Sequence, residues 1–410
     1  MINQPPRGMR DFYPAEASLR KEIVSTIETV YRSYGFDPID TPALEYLEVL
    51  NRKSGEEVTK QIYQVDDMGM RFDFTVGLAR FIANTSLPKP IKVFRSGCVW
   101  RRDEPQKGRY REFWQSDVDI IGSTSERCEA ELLSCAMDAL HALGIWKFRF
   151  RLNSRKTLSD ILMKSGVSSD KVVPAIRALD KLEKRGEGGV REELIAAGIG
   201  EDSIKLLFKA IASKKKEFVD TDRLESIKEM AKEYGVKHVD IDYTLARGFD
   251  YYTGPVFEVA TENSSLSVGG GGRYDELLGF YGSAAPAVGI SLGVERLADL
   301  LKAERKIKEG EPSTAAHVYV APVKDDAYMY AISVAKTFRS MGLGVSLNVT
   351  ERDLRKQFDY ANSLGFRHVA VVGKKEADLG KVTLRDMKSG KEEQLPIKEA
   401  VARILKGAEA

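Results

Sequence analysis

Residues 93–122 read VFRSGCVWRRDEPQKGRYREFWQSDVDIIG, from Val93 to Gly122. The pattern predicts two strands, about Val93–Arg101 and Arg111–Ile121. They are joined by a polar loop, Arg102–Tyr110, that carries Pro105, Gly108 and the basic Arg102, Lys107 and Arg109. Such a loop is much longer than a two-residue hairpin turn, and connections of this length between paired strands are commonly functional. Alternation with period two puts Arg111, Phe113, Gln115, Asp117 and Asp119 on one face of the second strand. Trp114, Ser116, Val118 and Ile120 share the other, which is apolar except for Ser116. The first face joins arginine, an aromatic ring, an amide and two carboxylates beside a basic loop. That mixture suits a ligand site, or else the solvated side of an antiparallel sheet.

Working outward, Ile62–Asp66 and Met70–Val76 read as a hairpin around Asp67-Met68-Gly69, its second strand carrying Arg71-Phe72-Asp73-Phe74-Thr75-Val76. Asp73 and Thr75 then sit side by side on the pleat, where a carboxylate and a hydroxyl can grip an ammonium group. Plain polar-out alternation explains the same pattern. Toward the amino terminus, Leu19, Ile23, Ile27, Val30 and Tyr34 recur at helical spacing, with Pro14 in the first turn and Gly35 as the stop. Phe36–Pro42 follows as an extended segment.

On the other side, Ser125 can cap a helix bearing Leu132, Leu133, Ala136, Leu140 and Leu143, and Lys147–Asn153 reads as a strand. From about Lys156 to Lys237 the pattern is helical and rich in lysine and glutamate. It includes a Gly186-Glu187-Gly188-Gly189 turn and a Ser213–Lys216 basic cluster. Charge runs of this kind are usually solvated helix faces. Val239–Tyr243 resumes the sheet, and Leu245-Ala246-Arg247-Gly248-Phe249-Asp250-Tyr251-Tyr252 follows. Gly269-Gly270-Gly271-Gly272-Arg273-Tyr274-Asp275 suits close backbone approach to a ligand, or a flexible loop. No Gly-Lys-Ser/Thr follows, so it is not a nucleotide P-loop. Ala287–Leu297 reads as a strand passing into a helix with Arg296 in its first turns.

After a charged linker, Glu304–Thr314, strands and helices alternate: Val318–Val323, Asp325–Met341, Val345–Val349, Leu354–Leu364, Val369–Val372, Lys381–Asp386 and Ile397–Leu405. This predicts a compact α/β domain with a mostly parallel sheet core.

Composition sets the bounds. A chain of 410 residues holds two or three domains, and 43% hydrophobic with 30% charged residues is ordinary for a globular protein. The 63 Lys+Arg against 61 Asp+Glu leave a net charge of +2. Any nucleic acid must therefore be held by local basic patches. Cys98, Cys128 and Cys135 form no even set and no Cys-x-x-Cys, which argues against a disulfide framework and suits a reducing cytoplasm. His141, His238, His317 and His368 are scattered, so no protein-ligated metal is expected. Neither a signal peptide nor a membrane-spanning run is apparent.

The run Val99–Phe113 resembles motif 2 of the class II aminoacyl-tRNA synthetases, and Pro105–Phe113 is closest to the histidyl-tRNA synthetase family, in an archaeal/eukaryotic-like form. Arg247–Tyr252 and Gly269–Gly279 resemble two signatures of that family, the helix and extended segment before Pro42 resemble motif 1, and Ala287–Leu297 resembles motif 3.

The resemblance implies an α+β catalytic domain over 1–310 with an antiparallel sheet flanked by helices. It adds a helical insertion over about 156–237 and an α/β anticodon-binding domain over 315–410. It implies a cytoplasmic homodimer that joins L-histidine to tRNA(His) using ATP and Mg²⁺, through a histidyl-adenylate. Motif 1 would supply the dimer contact, with Leu19, Ile23 and Ile27 on the helix facing the partner. Arg101 and Arg247 are then expected at the α-phosphate, Arg109 and Arg296 at the outer phosphates, Phe113 on adenine, and Glu112 at the adenine or metal. Asp73, Thr75 and Gln115 are assigned to the amino group, Asp119 and Tyr252 to the imidazole, with Tyr251 and Arg247 alongside. A regulatory subunit of ATP phosphoribosyltransferase, which shares the catalytic fold without aminoacylating, is the alternative. Family members of bacterial origin usually carry a basic residue where Glu104 stands, so the way the tRNA end is read does not carry over.

Overall fold

The computed structural model describes residues 3–53, 56–106, 108–213, 222–246, 251–262, 266–305 and 314–408. They cluster into two compact units, residues 1–10 with 20–304, and residues 11–19 with 305–410.

Helix α1 (Pro14–Ser33) divides between the units after Leu19. In the first unit there follow β1 (Asp37–Pro38), β2 (Leu44–Tyr46), α2 (Leu47–Asn51), α3 (Glu56–Thr59), β3 (Gln64–Val65), β4 (Met68–Met70), α4 (Thr75–Ala83), β5 (Ile91–Trp100) and β6 (Glu112–Ile121). Then follow α5 (Arg127–Ala142), β7 (Phe148–Ser154), α6 (Arg155–Lys164), α7 (Val172–Leu179), α8 (Leu182–Ala196), α9 (Glu201–Ser213) and α10 (Asp222–Glu233). The unit closes with β8 (Val239–Ile241), β9 (Pro255–Thr261), β10 (Gly269–Arg273), β11 (Ala287–Gly293) and α11 (Val294–Arg305). Among the described residues the large sheet has eight strands in the order β1-β5-β6-β11-β10-β9-β7-β8. Its inner pairs are antiparallel, and only the edge pairs β1/β5 and β7/β8 run parallel.

The hairpin β5–β6 pairs in unbroken register from Ile91↔Ile121 to Trp100↔Glu112. Its apolar face is covered. Tyr31 on α1 donates its hydroxyl to the Ser116 carbonyl at 3.1 Å, and its ring lies 5.6 Å from that of Phe94. Leu132, Leu133 and Leu140 of α5 are fully buried, each contributing about 1.5–3 kcal/mol by leaving water. The alternation of β6 is thus obeyed because one face packs the core.

Two features differ from the sequence reading. Leu19, Ile23 and Ile27, expected to face a second copy, are all buried within the chain. Helical apolar spacing marks a buried face and does not say whose surface buries it. Residues 71–76 are also not a strand, because Thr75 opens α4. The Asp73 carboxylate accepts the Val76 N–H at 3.2 Å and turns the chain into the helix. Phe72, Phe74 and Val76 are buried as alternation predicts, so three apolar residues at spacing two mimicked a strand.

The glycine run is β10, an inner strand and not a loop. A Cβ on Gly271 would collide with the Gly289 carbonyl, so strand and neighbour approach as only glycine permits. Between β7 and β8, helices α6–α9 enclose their own apolar cluster, including Leu158, Ile161, Leu179, Leu194 and Leu207, while α10 packs against α5. The span of α8 is broken at Gly186, whose φ of 67° and ψ of 176° are not helical, so the expected turn falls between two helical stretches. Lys214–Lys216 lie outside the described residues.

The second unit carries β12 (Val318–Pro322), α12 (Tyr328–Ser340), β13 (Val345–Leu347), α13 (Leu354–Ser363), β14 (His368–Val372), α14 (Lys374–Leu379), β15 (Lys381–Asp386), β16 (Glu392–Pro396) and α15 (Ile397–Ala408). Its sheet order is β13-β12-β14-β15-β16, parallel through β14 and antiparallel beyond. The polar, Pro-ended edge strand β16 carries little of the apolar signal that marks a core strand.

Candidate active site

The loop between β5 and β6 is held at several points. Gln106 and Arg109 exchange backbone hydrogen bonds of 3.1 and 2.8 Å around Gly108, which takes a positive φ of 75°. Arg111 donates its Nε to the Asp103 carbonyl at 2.9 Å. Below this loop is a cavity of about 370 Å³. Its walls are Phe113, Gln115 and Asp117 of β6, the backbone of Gly269–Gly271, and Val256–Glu258 of β9. Asp73 and Thr75 at the start of α4, the pair Tyr251 and Tyr252, and the loop residues Arg109 and Tyr110 complete it.

One end is acidic. Asp73 is buried, with Oδ2 accepting the Tyr251 hydroxyl at 2.9 Å and Oδ1 accepting the Val76 amide. Burial raises its pKa, opposed by those donors and by Arg101. Asp117 is pushed well above the usual carboxylate range by burial and by Asp119, two residues along the same face. Asp119 is raised to about 7 by burial, against the hydrogen bond that Tyr274 donates at 2.5 Å. Asp117 Oδ1 and Gln115 Oε1 are both buried without a hydrogen-bond partner. Gln115 donates its amide to Ser291 Oγ at 2.8 Å. Desolvated carboxylates this close together are unfavourable as anions until a cation joins them.

Other lining groups are basic. Arg101 donates Nε to the Phe72 carbonyl at 2.9 Å, and its guanidinium stands 5.0 Å from the centre of the Phe113 ring. Arg296, in the first turn of α11, donates to the carbonyls of Gly108 at 3.3 Å and Ser267 at 2.5 Å. Arg109 enters from the loop. These fixed cations and an aromatic ring suit a phosphate chain and a planar base.

The cavity therefore brings together Asp73, Thr75, Arg101, Arg109, Phe113, Gln115, Tyr251, Tyr252 and Arg296. Glu112 is not in its lining. Period two points it to the other face, where its carboxylate accepts the Trp100 indole N–H at 2.9 Å. Asp119 lies behind the lining, its oxygen set against Gly289, where a Cβ would collide with it. Arg247 falls outside the described residues.

The sequence reading assigned no role to Asp117, Ser291, Glu258 or Glu295, all of which line the cavity. Asp117 was legible, since it shares a face with Gln115 and Phe113. Glu295 was not, because its role is visible only in space. One carboxylate oxygen takes Arg20 at 2.7 Å and the other takes the Trp114 amide at 2.6 Å, which fastens α11 to β6. Arg273 and Tyr274 likewise brace the site. Arg273 makes two 2.7 Å bonds to the buried Glu129 of α5, and Tyr274 holds Asp119.

Two family models match the chain, one described as histidyl-tRNA synthetase over residues 8–297 and one as an anticodon-binding domain over residues 317–407. A histidine–tRNA ligase of Aeropyrum pernix is 40% identical, over 98% of this chain and 97% of its own length. That of Korarchaeum cryptofilum is 38% identical, over 93% and 95%. Among solved structures, a histidyl-tRNA synthetase from Nostoc sp. PCC 7120 superposes with a TM-score of 0.84 at 29% identity, covering 99% of each chain. A Bacillus halodurans protein described as an ATP phosphoribosyltransferase regulatory subunit/histidyl-tRNA synthetase superposes at 0.74 with 22% identity, covering 91% of this chain and 99% of its own. That last likeness carries the fold alone.

Proposed function

The chain belongs to the histidyl-tRNA synthetase family, and on that premise we propose that its cavity activates L-histidine with ATP and passes it to tRNA(His). The reaction is the family's aminoacylation. The histidine carboxylate attacks the α-phosphate of ATP, pyrophosphate leaves, and histidyl-adenylate forms. The 3′-terminal adenosine hydroxyl of the tRNA then attacks the adenylate carbonyl, and AMP leaves.

The observation that carries this reading is the presence of both charges in one cavity, Asp73 and Asp117 lining it together with Arg101, Arg109 and Arg296. An α-amino acid bears an ammonium beside its carboxylate, and ATP bears a run of negative charge. The cavity offers complementary groups to both. Asp73, Thr75 and Gln115 take the ammonium, the unpartnered Gln115 Oε1 being a ready acceptor. Asp117 presents its free oxygen toward an imidazole N–H, with Asp119 as a second acceptor one layer deeper and Tyr252 at the other ring nitrogen. Leaving such polar groups unpaired is what rejects an analogue without the matching nitrogens, by factors of about 10⁴.

Phe113 stacks the adenine, and Arg101 moves from it to the α-phosphate. Arg296 and Arg109 take the outer phosphates, Arg296 exchanging backbone carbonyls for phosphate oxygens. Arg247 is assigned to the α-phosphate and the carboxylate, where fixed positive charge stabilises the transition state. Glu112 is left out of the nucleotide site, because its carboxylate is engaged by Trp100.

Among the described residues no group of three His, Cys, Asp or Glu could hold a metal. This donor set fits Mg²⁺ carried in on the nucleotide phosphates and water. Bound there, Mg²⁺ neutralises phosphate charge.

The catalytic domain is placed at 1–310 with the insertion at about 156–237, and the anticodon-binding domain at 315–410. We place the enzyme in the cytoplasm as a homodimer. No helix of the described residues is long and apolar enough to cross a membrane. The regulatory-subunit alternative is less supported, since the relatives matching nearly the whole chain are histidine–tRNA ligases. Histidine-dependent ATP–pyrophosphate exchange, followed by charging of tRNA(His), tests the proposal. Purified protein that gives no exchange with histidine and ATP would sink it.

A further inference from the structure

The short segment before α1 makes contacts that the reaction as proposed does not use. The Gly8 carbonyl accepts the Arg111 N–H at 2.8 Å. The Arg10 guanidinium carbon lies 3.4 Å from the centre of the Tyr110 ring. Arg7 meets Glu104 at 3.0 Å. Three residues of one segment thus touch three separate points of the loop between β5 and β6. Approach is close: Gly8 has φ of 85°, and a Cβ there would come within 2.8 Å of Arg111 Cγ and Pro105 Cγ. Arg296 holds the same loop from elsewhere, through the Gly108 carbonyl. The loop itself supplies Asp103, Gly108, Arg109 and Tyr110 to the cavity wall.

We propose that residues 7–10 form a strap that holds this loop in its nucleotide-receiving shape, with Gly8 and Arg10 as positioning residues. The proposal rests on the reading that the cavity takes ATP. A long polar loop left to itself samples many conformations, and nucleotide must select the competent one. Apparent affinity is divided by the fraction of time that conformation is present. A strap that fixes the root of the loop through Arg111 and its wall through Tyr110 raises that fraction before ATP arrives. The groups assigned to histidine, Asp73, Thr75, Gln115 and Asp117, stand at the start of α4 and further along β6, outside this loop. Arg7 contributes least. Its pair with Glu104 is 72% and 78% exposed, and such pairs are worth little in water.

The test uses the full-length variants Arg10→Ala, Arg10→Lys and Gly8→Ala. For each, KM for ATP and for histidine are measured in pyrophosphate exchange, with Tm and amide hydrogen exchange over residues 102–111. Arg10→Ala is expected to raise KM for ATP about fivefold, the size of one cation–π contact, with KM for histidine held within about twofold. Arg10→Lys should recover most of the loss, since an ammonium keeps the attraction to the ring. Gly8→Ala should give the same pattern more strongly, and both disruptive variants should speed amide exchange in the loop. Unchanged KM for ATP overturns the proposal. So does a joint rise of both KM values with a falling Tm, which is a purely structural role. If the wild-type protein gives no exchange activity, the functional reading fails, and the strap is judged on amide exchange alone. Loop protection unchanged in Arg10→Ala and Gly8→Ala then refutes it.

Discussion

Replacing Asp119 by asparagine should stabilise the ligand-free protein above neutral pH while weakening histidine binding. Burial raises the Asp119 carboxyl from 3.8 to about 7, with Asp73 adding to the effect. Between those two values the folded protein keeps the proton and the unfolded chain has lost it. The folded state binds more protons there, so stability falls as pH rises from about 3.8 to about 7 and is flat beyond. At 1.36 kcal/mol per unit, the loss is about 2 kcal/mol between pH 5 and pH 7, where the group is half titrated, and about 3 kcal/mol by pH 8. Asparagine does not ionise, and its Oδ1 can still accept the Tyr274 hydroxyl that Asp119 accepts at 2.5 Å. The stability of the variant relative to wild type should therefore climb by about 3 kcal/mol from pH 5 to pH 8, seen as a Tm difference growing by several degrees. The change with pH is the readout, so any constant offset from the substitution drops out. Histidine binding should move the opposite way, with KM for histidine in the variant raised at least about tenfold at pH 8. Parallel Tm profiles from pH 5 to pH 8 would refute the reasoning. They would mean that Asp119 ionises normally in the folded protein.

Arg247→His should lower pyrophosphate exchange by about 10²–10³ while ATP and histidine binding change much less, as loss of transition-state charge stabilisation does. Near-normal exchange with a lower Tm would make Arg247 a structural ion-pair residue. Deleting residues 316–410 should leave histidine activation measurable and cripple tRNA charging, because remote binding energy is lost. Normal charging by a truncated protein whose circular dichroism shows it folded would count against the assignment of that domain. Sedimentation at micromolar concentration should give the mass of a dimer. Because Ile23 and Ile27 are buried within the chain, their substitution should lower stability and not simply release monomers.

How much was legible depended on whether the signal was local. The hairpin β5–β6 was readable nearly to the residue, because alternation over ten-residue strands fixes face and register together. The same rule put Phe113, Gln115 and Asp117 on one wall before any coordinates. It failed at 71–76, where a carboxylate turning the chain into α4 looks like one step of a strand. Thr75 nonetheless reaches the cavity, from a helix start and not from a pleat. Glu112 was misread for another reason. Its place beside Phe113 in the motif suggested a shared role, yet neighbours on a strand point to opposite faces. Ser291, Glu258 and Glu295 come from strands and a helix far along the chain, brought to β6 only by the sheet order, which no local pattern encodes.

The cavity's polar lining is costly to the fold in a directed way. Asp73, Asp117 and Asp119 are all buried, and burial raises all three. Asp117 Oδ1 and Gln115 Oε1 add two buried acceptors without partners, each carrying about 1–3 kcal/mol of lost hydration. A core built for stability alone would place apolar side chains there. The bracing around them is of the opposite kind. Arg273 is doubly bonded to Glu129, and Glu295 is shared between Arg20 and the Trp114 amide, so these buried charges have close partners. The carboxylates that position the walls thus have close partners, while two acceptors at the cavity, Asp117 Oδ1 and Gln115 Oε1, have none. A cationic amino acid with two ring nitrogens supplies the missing partners. Its binding should therefore raise the melting temperature more than the contact area of so small a molecule would suggest, because it relieves a cost already present in the free protein.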